Sequence, residues 1–286
     1  MALHLPRKDI KYEALAFALV DVQRIFERLL VQVNDQAEVE LGALQKQANE
    51  TDEGLSARKE DLRRRVFRIT VTIFGTDGSQ LFGDDASLFV SPNRPTQVRS
   101  IYMTNVTAYQ GVTSQRPINF FELLLDFSRP PLLDPNRLVS SPTANDSNLS
   151  VGGQRDAWVA AVVEAVDGVL RERRTRRSWV HRAFIYDVGQ LLIGVPLGFY
   201  VCLKLSGLVN RVSNIPPFLG AALYVYLFFI ALWAYRVLFG YTRWAFPSVE
   251  LTDNRDSAQV HRAVWWVISG GVLIDVIWEG IKLLVA

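Results

Sequence analysis

Five aspartates in the N-terminal half, Asp77, Asp84, Asp85, Asp126 and Asp134, are the side chains there best suited to chemistry, because carboxylates can assemble a Mg2+ site. They stand in or beside turn sequences such as Gly75-Thr76-Asp77-Gly78, where aspartate also serves to hydrogen-bond the local backbone. The turn role is the expected one, so no metal, cofactor or catalytic residue is expected. Histidine occurs at 4, 181 and 261 and cysteine at 202, leaving neither between residues 5 and 180. That excludes from this stretch zinc sites with Cys or His ligands, thiol nucleophiles and Ser-His-Asp hydrolysis, short of His4 folding back. A single cysteine allows no intrachain disulfide. Phosphate-cradling loops of the GxxxxGKS/T or GxGxxG type are absent, and Gly75, Gly78 and Gly83 are spaced for neither.

A second set of polar residues lies in apolar surroundings, where an ionisable group is a functional candidate. Asp187, Gln190, Gly194 and Gly198 follow one another at steps of three, four and four and so share one helix face. Gly194-Val195-Pro196-Leu197-Gly198 is a GxxxG pattern that lets helices approach closely, with Pro196 able to kink the helix. This face is expected either to pack on another helix, with Asp187 wetted at the interface, or to line a water path or an oligomer seam. Asp275, Glu279 and Lys282 also share a face, and the lysine makes an ion network a plainer account than a paired-carboxylate site. Arg171, Arg173, Arg174, Arg176, Arg177 and Arg182 form a dense basic run, read as a topology signal or as a site for anionic lipid headgroups.

The elements that hold this second set are made for lipid. From Phe218 to Tyr235 eighteen residues pass without a charge, and about 20 apolar residues in a helix cross a hydrocarbon layer. Spans are expected near 183–205 and 217–238, with Pro216 and Pro217 suited to a helix start. Residues 263–286 are expected to span as well, the alternative being a helix lying flat in the interface. Tyr186, Tyr200, Trp233, Trp244, Trp265 and Trp266 fall near the expected interfaces, and Lys204 is expected to snorkel outward. The six arginines above precede the first span and Arg236, Arg243, Arg255 and Arg262 follow the second, against Lys204 and Arg211 between the two. Lys and Arg gather on the cytoplasmic side, so the N-terminal domain and the second link are expected there. The first twenty residues lack the pattern of a secretory leader, in keeping with that expectation.

The fold class expected is α+β: a cytoplasmic domain over 1–180 followed by a helical membrane domain over 181–286. Residues 9 to about 48 read as one long helix, because Leu15, Leu19, Val22, Phe26, Leu29 and Val33 alternate steps of four and three. Ala37, Leu41, Leu44 and Ala48 continue the stripe after a stutter. The stripe is expected to pack on its own domain or to serve as an oligomer seam. Residues 49–65 read as a turn and a short helix closed by Arg63, Arg64 and Arg65. Alternation predicts a strand through Phe67, Ile69, Val71 and Ile73, a turn at 75–78, and further strands near 86–90, 98–108 and 120–127 in a small antiparallel sheet. Residues 128–153, rich in Pro, Ser, Asn and Gly, read as a long loop. Residues 156–174 read as a helix that buries Trp158, Val162, Val166 and Val169 and runs on through the arginines towards the first span as a lever.

No motif leads to a named family. The heptad stripe, the basic lead into the membrane and the small-polar helix face together point to a non-enzymatic, oligomeric protein of the inner or plasma membrane. Its cytoplasmic domain would sense a small molecule or protein and alter the spans, forming a pore or disturbing the bilayer. In layout the chain resembles bacterial membrane effectors that act when a cytoplasmic domain is triggered, as in phage defence. Two other expectations stand beside this one: a passive membrane anchor or adaptor, and a membrane-bound carboxylate-dependent enzyme. Membrane lipid and further copies of the chain are the expected partners, and nucleic acid is not.

Overall fold

A computed structural model of the chain describes residues 7–131, 140–211, 216–254 and 258–285. The fold is mixed α+β, with a small antiparallel sheet and two helices long and apolar enough to cross a membrane. Its contacts divide the chain into two units: residues 1–128, 145–175 and 249–255, and residues 129–144, 176–248 and 256–286. The units interleave along the sequence, with residues 129–144 in the second and residues 249–255 in the first.

In the first unit the elements are β1 (Arg7–Lys11), β2 (Leu15–Phe17), α1 (Leu19–Gly42), α2 (Asp52–Val66), β3 (Thr70–Gly75), β4 (Gln80–Gly83), β5 (Val98–Thr104), α3 (Val106–Thr113), β6 (Phe120–Asp126), β7 (Asn148–Gly152), α4 (Asp156–Leu170) and β8 (Val249–Leu251). Six strands form one antiparallel sheet in the order β1-β7-β6-β5-β3-β4. Val71 and Ile73 of β3 stand opposite Met103 and Ile101 of β5, which stand opposite Leu123 and Leu125 of β6. All six are fully buried, and burying each such side chain contributes about 1.5–3 kcal/mol. The alternate residues Thr72, Tyr102, Leu124 and Asn148 line up on the other face and are only partly covered. Strand β1, sequence RKDIK, is charged and exposed, as suits a sheet edge that must not recruit another strand. At the β3–β4 turn Gly78 takes φ +83°, a conformation that favours glycine.

Helix α1 packs its stripe into the core of this unit. Leu19, Val22, Ile25, Phe26, Leu29 and Val33 are buried in one cluster with the sheet and with Trp158, Val162, Val166 and Val169 of α4. Trp158 Nε1 donates to the carbonyl of Gln32 at 2.9 Å, fixing α4 against α1. The stripe is therefore packed within its own unit.

Several expectations are corrected here. Residues 9–18 are not helical: β1 pairs with β7 and β2 with β8 before α1 begins. Leu15 thus belongs to a strand, because long-range pairing overrides the local heptad pattern. The strand expected at 86–90 is a 3-10 turn whose start is capped by Asp85, and β3 pairs instead with β4 on one side and β5 on the other. Strand β7 lies within the expected loop 128–153; its two inward residues, Leu149 and Val151, sit among polar neighbours that mask the alternation. Helix α4 ends at Leu170, so the arginine-rich stretch after it is not a continuous lever into the first span.

The second unit contains α5 (Ser178–His181), α6 (Ile185–Gly189), α7 (Val195–Arg211), α8 (Pro217–Ala245) and α9 (Ala258–Val285). Helices α6 and α7 form one candidate span, Ile185–Val209, long and apolar enough to cross a membrane and interrupted at Gln190–Gly194 by a π turn. The cause follows it directly: Pro196 has no N–H with which to close the regular i→i−4 bond. Pro217 opens α8, where a missing N–H costs nothing. The two spans pack through small residues. A Cβ on Gly198 would lie 2.6 Å from the Phe228 ring, and one on Gly194 would lie 3.2 Å from the Tyr235 ring. Elsewhere the hairpin is bare: only 11% of the most apolar window of each span is buried. Phe199, Leu203, Phe218, Val225, Phe229 and Trp233 all face outward.

Candidate coupling site

In the first unit, hydrogen bonds from distant parts of the chain converge on the start of α1. Leu19 N–H, an orphan donor of the first turn, donates to Asp253 Oδ2 at 2.6 Å, and Ala18 N–H donates to Asp21 Oδ2 at 3.0 Å. Both carboxylates sit at the positive end of the helix dipole. Asp21 is 2% exposed, and its charge is met by Arg173 at 2.9 Å and Arg24 at 3.6 Å. Asp253 belongs to the stretch that follows β8. That stretch is fastened by a parallel ladder, Leu15 to Val249 through Phe17 to Leu251. Thr252 N–H also donates to Phe17 O at 2.9 Å. The Asn254 amide bonds both backbone groups of Val98 at 2.9 Å, as a neighbouring strand would. On the other side of β2, Thr175 N–H donates to Ala14 O at 2.6 Å and Leu15 forms a bridge with Arg174. Ala14 is turned to φ 59° to make that bend. The last residues before the first span and the link between α8 and α9 are thus pinned to one place.

The second unit carries its own polar knot. Arg243, in the last turn of α8, is buried and donates to the carbonyls of Val180 at 3.1 Å, Ser141 at 2.9 Å and Arg182 at 3.3 Å. Its guanidinium also lies 4.9 Å from the Phe239 ring centre. His181 is buried between Thr143 Oγ1, 2.9 Å from Nδ1, and the carbonyl of Phe246, 2.8 Å from Nε2. The carbonyl can only accept, so Nε2 carries the proton and Thr143 donates to Nδ1. Burial holds the imidazole pKa below its ordinary value, with Arg243 and Arg177 opposing a further charge. Trp265 Nε1 donates to Thr242 Oγ1 at 2.7 Å, Arg262 to Ala245 O at 3.0 Å, and Tyr241 stacks on Trp244. Phe184, the residue before α6, is held at φ 63°, a strained position for an aromatic side chain.

The structure scatters some of the residues singled out above and gathers others. Asp187 is exposed at the start of the first span, Gln190 lies in the π turn, and Gly194 and Gly198 face α8. Asp275 accepts from Tyr200 Oη at 2.6 Å, Lys282 lies 5.7 Å from the Trp278 ring, and the Glu279 side chain lies outside the described residues. The arginine run is divided. Arg173 pairs with Asp21 at the start of α1, and Arg174 bridges Leu15 of β2. Arg171 lines a small cleft with Lys11 and Arg174 around Tyr12, whose hydroxyl donates to Asp167 at 2.6 Å. Arg177 stacks 5.6 Å from Phe246, and Arg176 and Arg182 are exposed. Arg236 and Arg243 belong to α8 rather than to the link after it, and Arg255 and Asp134 lie outside the described residues. Asp77, Asp85 and Asp126 cap turns through Ser79, Ser87 and Ser128, and Asp84 pairs with Arg68. Among the described residues no group of three or more His, Cys, Asp or Glu converges.

Asp21, Asp253, Asn254, Arg243 and His181 carry these two knots, and none was singled out from the sequence as a site residue. The only local signal is Asp21, three residues after the N-cap Ala18. The others act on backbone groups far away in the chain. Compared with protein-family models, curated proteins and solved structures, the chain gives no match.

Proposed function

We propose that this is a multi-pass protein of the inner or plasma membrane, in which a cytoplasmic α+β unit controls membrane helices as a non-enzymatic, oligomeric sensor and effector. The observation that carries the reading is β8. The link between α8 and α9 is itself a strand of the first unit, and its Asp253 caps the same helix that holds Arg173 on the approach to the first span. A shift at the start of α1, on meeting a small molecule or protein, therefore pulls on both ends of the hairpin and on the root of α9 together. The consequence in the bilayer is a pore or a local disturbance.

The bare apolar hairpin supports membrane insertion, since a core helix of a soluble protein would be mostly covered. Residues 175 and 249, flanking the hairpin, both belong to the first unit, which supports an even number of crossings between them. Arg176, Arg177, Arg182 and Arg243 gather at the root of the hairpin, against Arg211 near its tip, which supports a cytoplasmic first unit.

The test is release of a trapped dye from liposomes carrying the full chain, compared with an Asp253→Ala/Asn254→Ala chain in which the α8–α9 link is unfastened. The double variant is expected to change the release rate at least about threefold at equal insertion, since losing one cap weakens the node by about 1 kcal/mol. No release from either chain at any protein-to-lipid ratio would sink the effector reading in favour of a passive anchor.

A further inference from the structure

Three cations meet in one cleft of the first unit. Lys11 comes from the end of β1, and Arg171 and Arg174 from the stretch that follows α4. All three are exposed, and among the described residues none of them pairs with a carboxylate. Glu13 and Asp167 share the cleft, so its lining carries three positive charges against two negative. Asp167 already accepts from the Tyr12 hydroxyl at 2.6 Å. Burial first, and then that carboxylate, raises the Tyr12 phenol above its ordinary pKa, so the contact is made by a neutral donor. The end of α4 accounts for arginines beside it, since cations suit a helix C-terminus. It does not account for Lys11, which the pairing of β1 with β7 brings to the same place. Like charges gathered this way repel one another, and an anion between them turns that repulsion into attraction. The cleft holds about 290 Å³ of empty space, part of it open to solvent, which suits a small ligand group.

We propose that this cleft binds the phosphate group of an anionic ligand and that this ligand is the trigger of the first unit, an inference that rests on the sensor reading above. The two guanidinium groups offer paired N–H donors to the phosphate oxygens, and Lys11 adds a third positive charge. The position of the cleft supplies the consequence. Leu15 of β2 also lines it and is bridged by Arg174, and β2 carries β8. An anion that draws on Arg174 therefore acts on the strand that fastens the link between α8 and α9.

The test is equilibrium dialysis of the full chain in mild detergent against labelled inorganic phosphate, with chloride holding the ionic strength constant. One phosphate per chain is expected. Lys11→Gln and Arg171→Gln should each weaken it at least about tenfold, since each removes a hydrogen bond to a charged group. These two exposed residues stand on separate segments, so the test survives if one variant fails to fold. Arg64→Gln, at an exposed arginine of α2 that does not line the cleft, should leave binding within about twofold. No binding at about 10 mM phosphate, or an equal loss from Arg64→Gln, overturns the proposal. Repeating the dialysis with the chain in phosphatidylcholine vesicles, with and without phosphatidic acid, names the source of the phosphate. Displacement by phosphatidic acid assigns the site to a lipid headgroup, and retained phosphate assigns it to a soluble molecule. Dye release with and without phosphate separates the two readings. Binding that leaves an existing release unchanged overturns the trigger assignment, whereas binding with no release from any chain sinks the effector reading and leaves the site standing.

Discussion

At the scale of single residues, the side chains that organise this protein do so by meeting backbone groups. Arg243 is spread over three carbonyls, Asp253 caps a helix that begins more than two hundred residues earlier, and His181 joins two segments of the second unit. None of these pairings has a local signature, because the partner is a carbonyl or an N–H that every residue possesses. His181 makes a pH prediction. Its folded pKa is held below 6.5 by burial, so as pH falls through that value the unfolded chain takes up its proton first. Stability is then fully present above about pH 6.5 and declines below it. Thermal unfolding of the solubilised chain should therefore show a midpoint that drops between about pH 7 and about pH 5.5, and His181→Gln should flatten the drop. Equal pH slopes in the two chains would refute this role.

At the scale of elements, the inward alternation of β3, β5 and β6 and the stripe of α1 could be read directly, since apolar periodicity reports which face is buried. What it cannot report is the covering partner. The stripe of α1 would suit a second copy or its own sheet equally well, and only packing against α4 and the strands decides between them. The glycines of α7 are a similar case. Gly198 lies against the Phe228 ring, whereas a Cβ on Gly220 of α8 would meet nothing. Gly198→Leu should therefore destabilise the hairpin by about 1–3 kcal/mol through overpacking, and Gly220→Leu by less than about 0.5 kcal/mol. Unfolding of both variants in one detergent checks the contrast, and equal losses would mean that the spans do not meet at Gly198.

At the scale of the whole molecule, the decisive feature is that the chain leaves the first unit for the hairpin and returns to it through β8. Paired residues of neighbouring strands suit a disulfide. Ala16→Cys with Glu250→Cys, at a paired position of the β2–β8 ladder and with Cys202→Ser, should therefore oxidise readily within one chain. The product is expected to run faster on a non-reducing gel and to unfold later by about 2–4 kcal/mol. Failure to form it in folded protein would show that the ladder is wrong. The sequence by itself determined the two apolar helices, the lack of histidine and cysteine between residues 5 and 180, and the inward faces of the main strands, because composition, length and period are properties of contiguous residues. Only the tertiary structure decided that residues 9–18 are strands, that a strand lies in a stretch read as loop, and that Asp253 and Arg173 meet at the start of α1. Those outcomes depend on pairing between segments far apart in the chain, and no local preference encodes which distant backbone a side chain will satisfy.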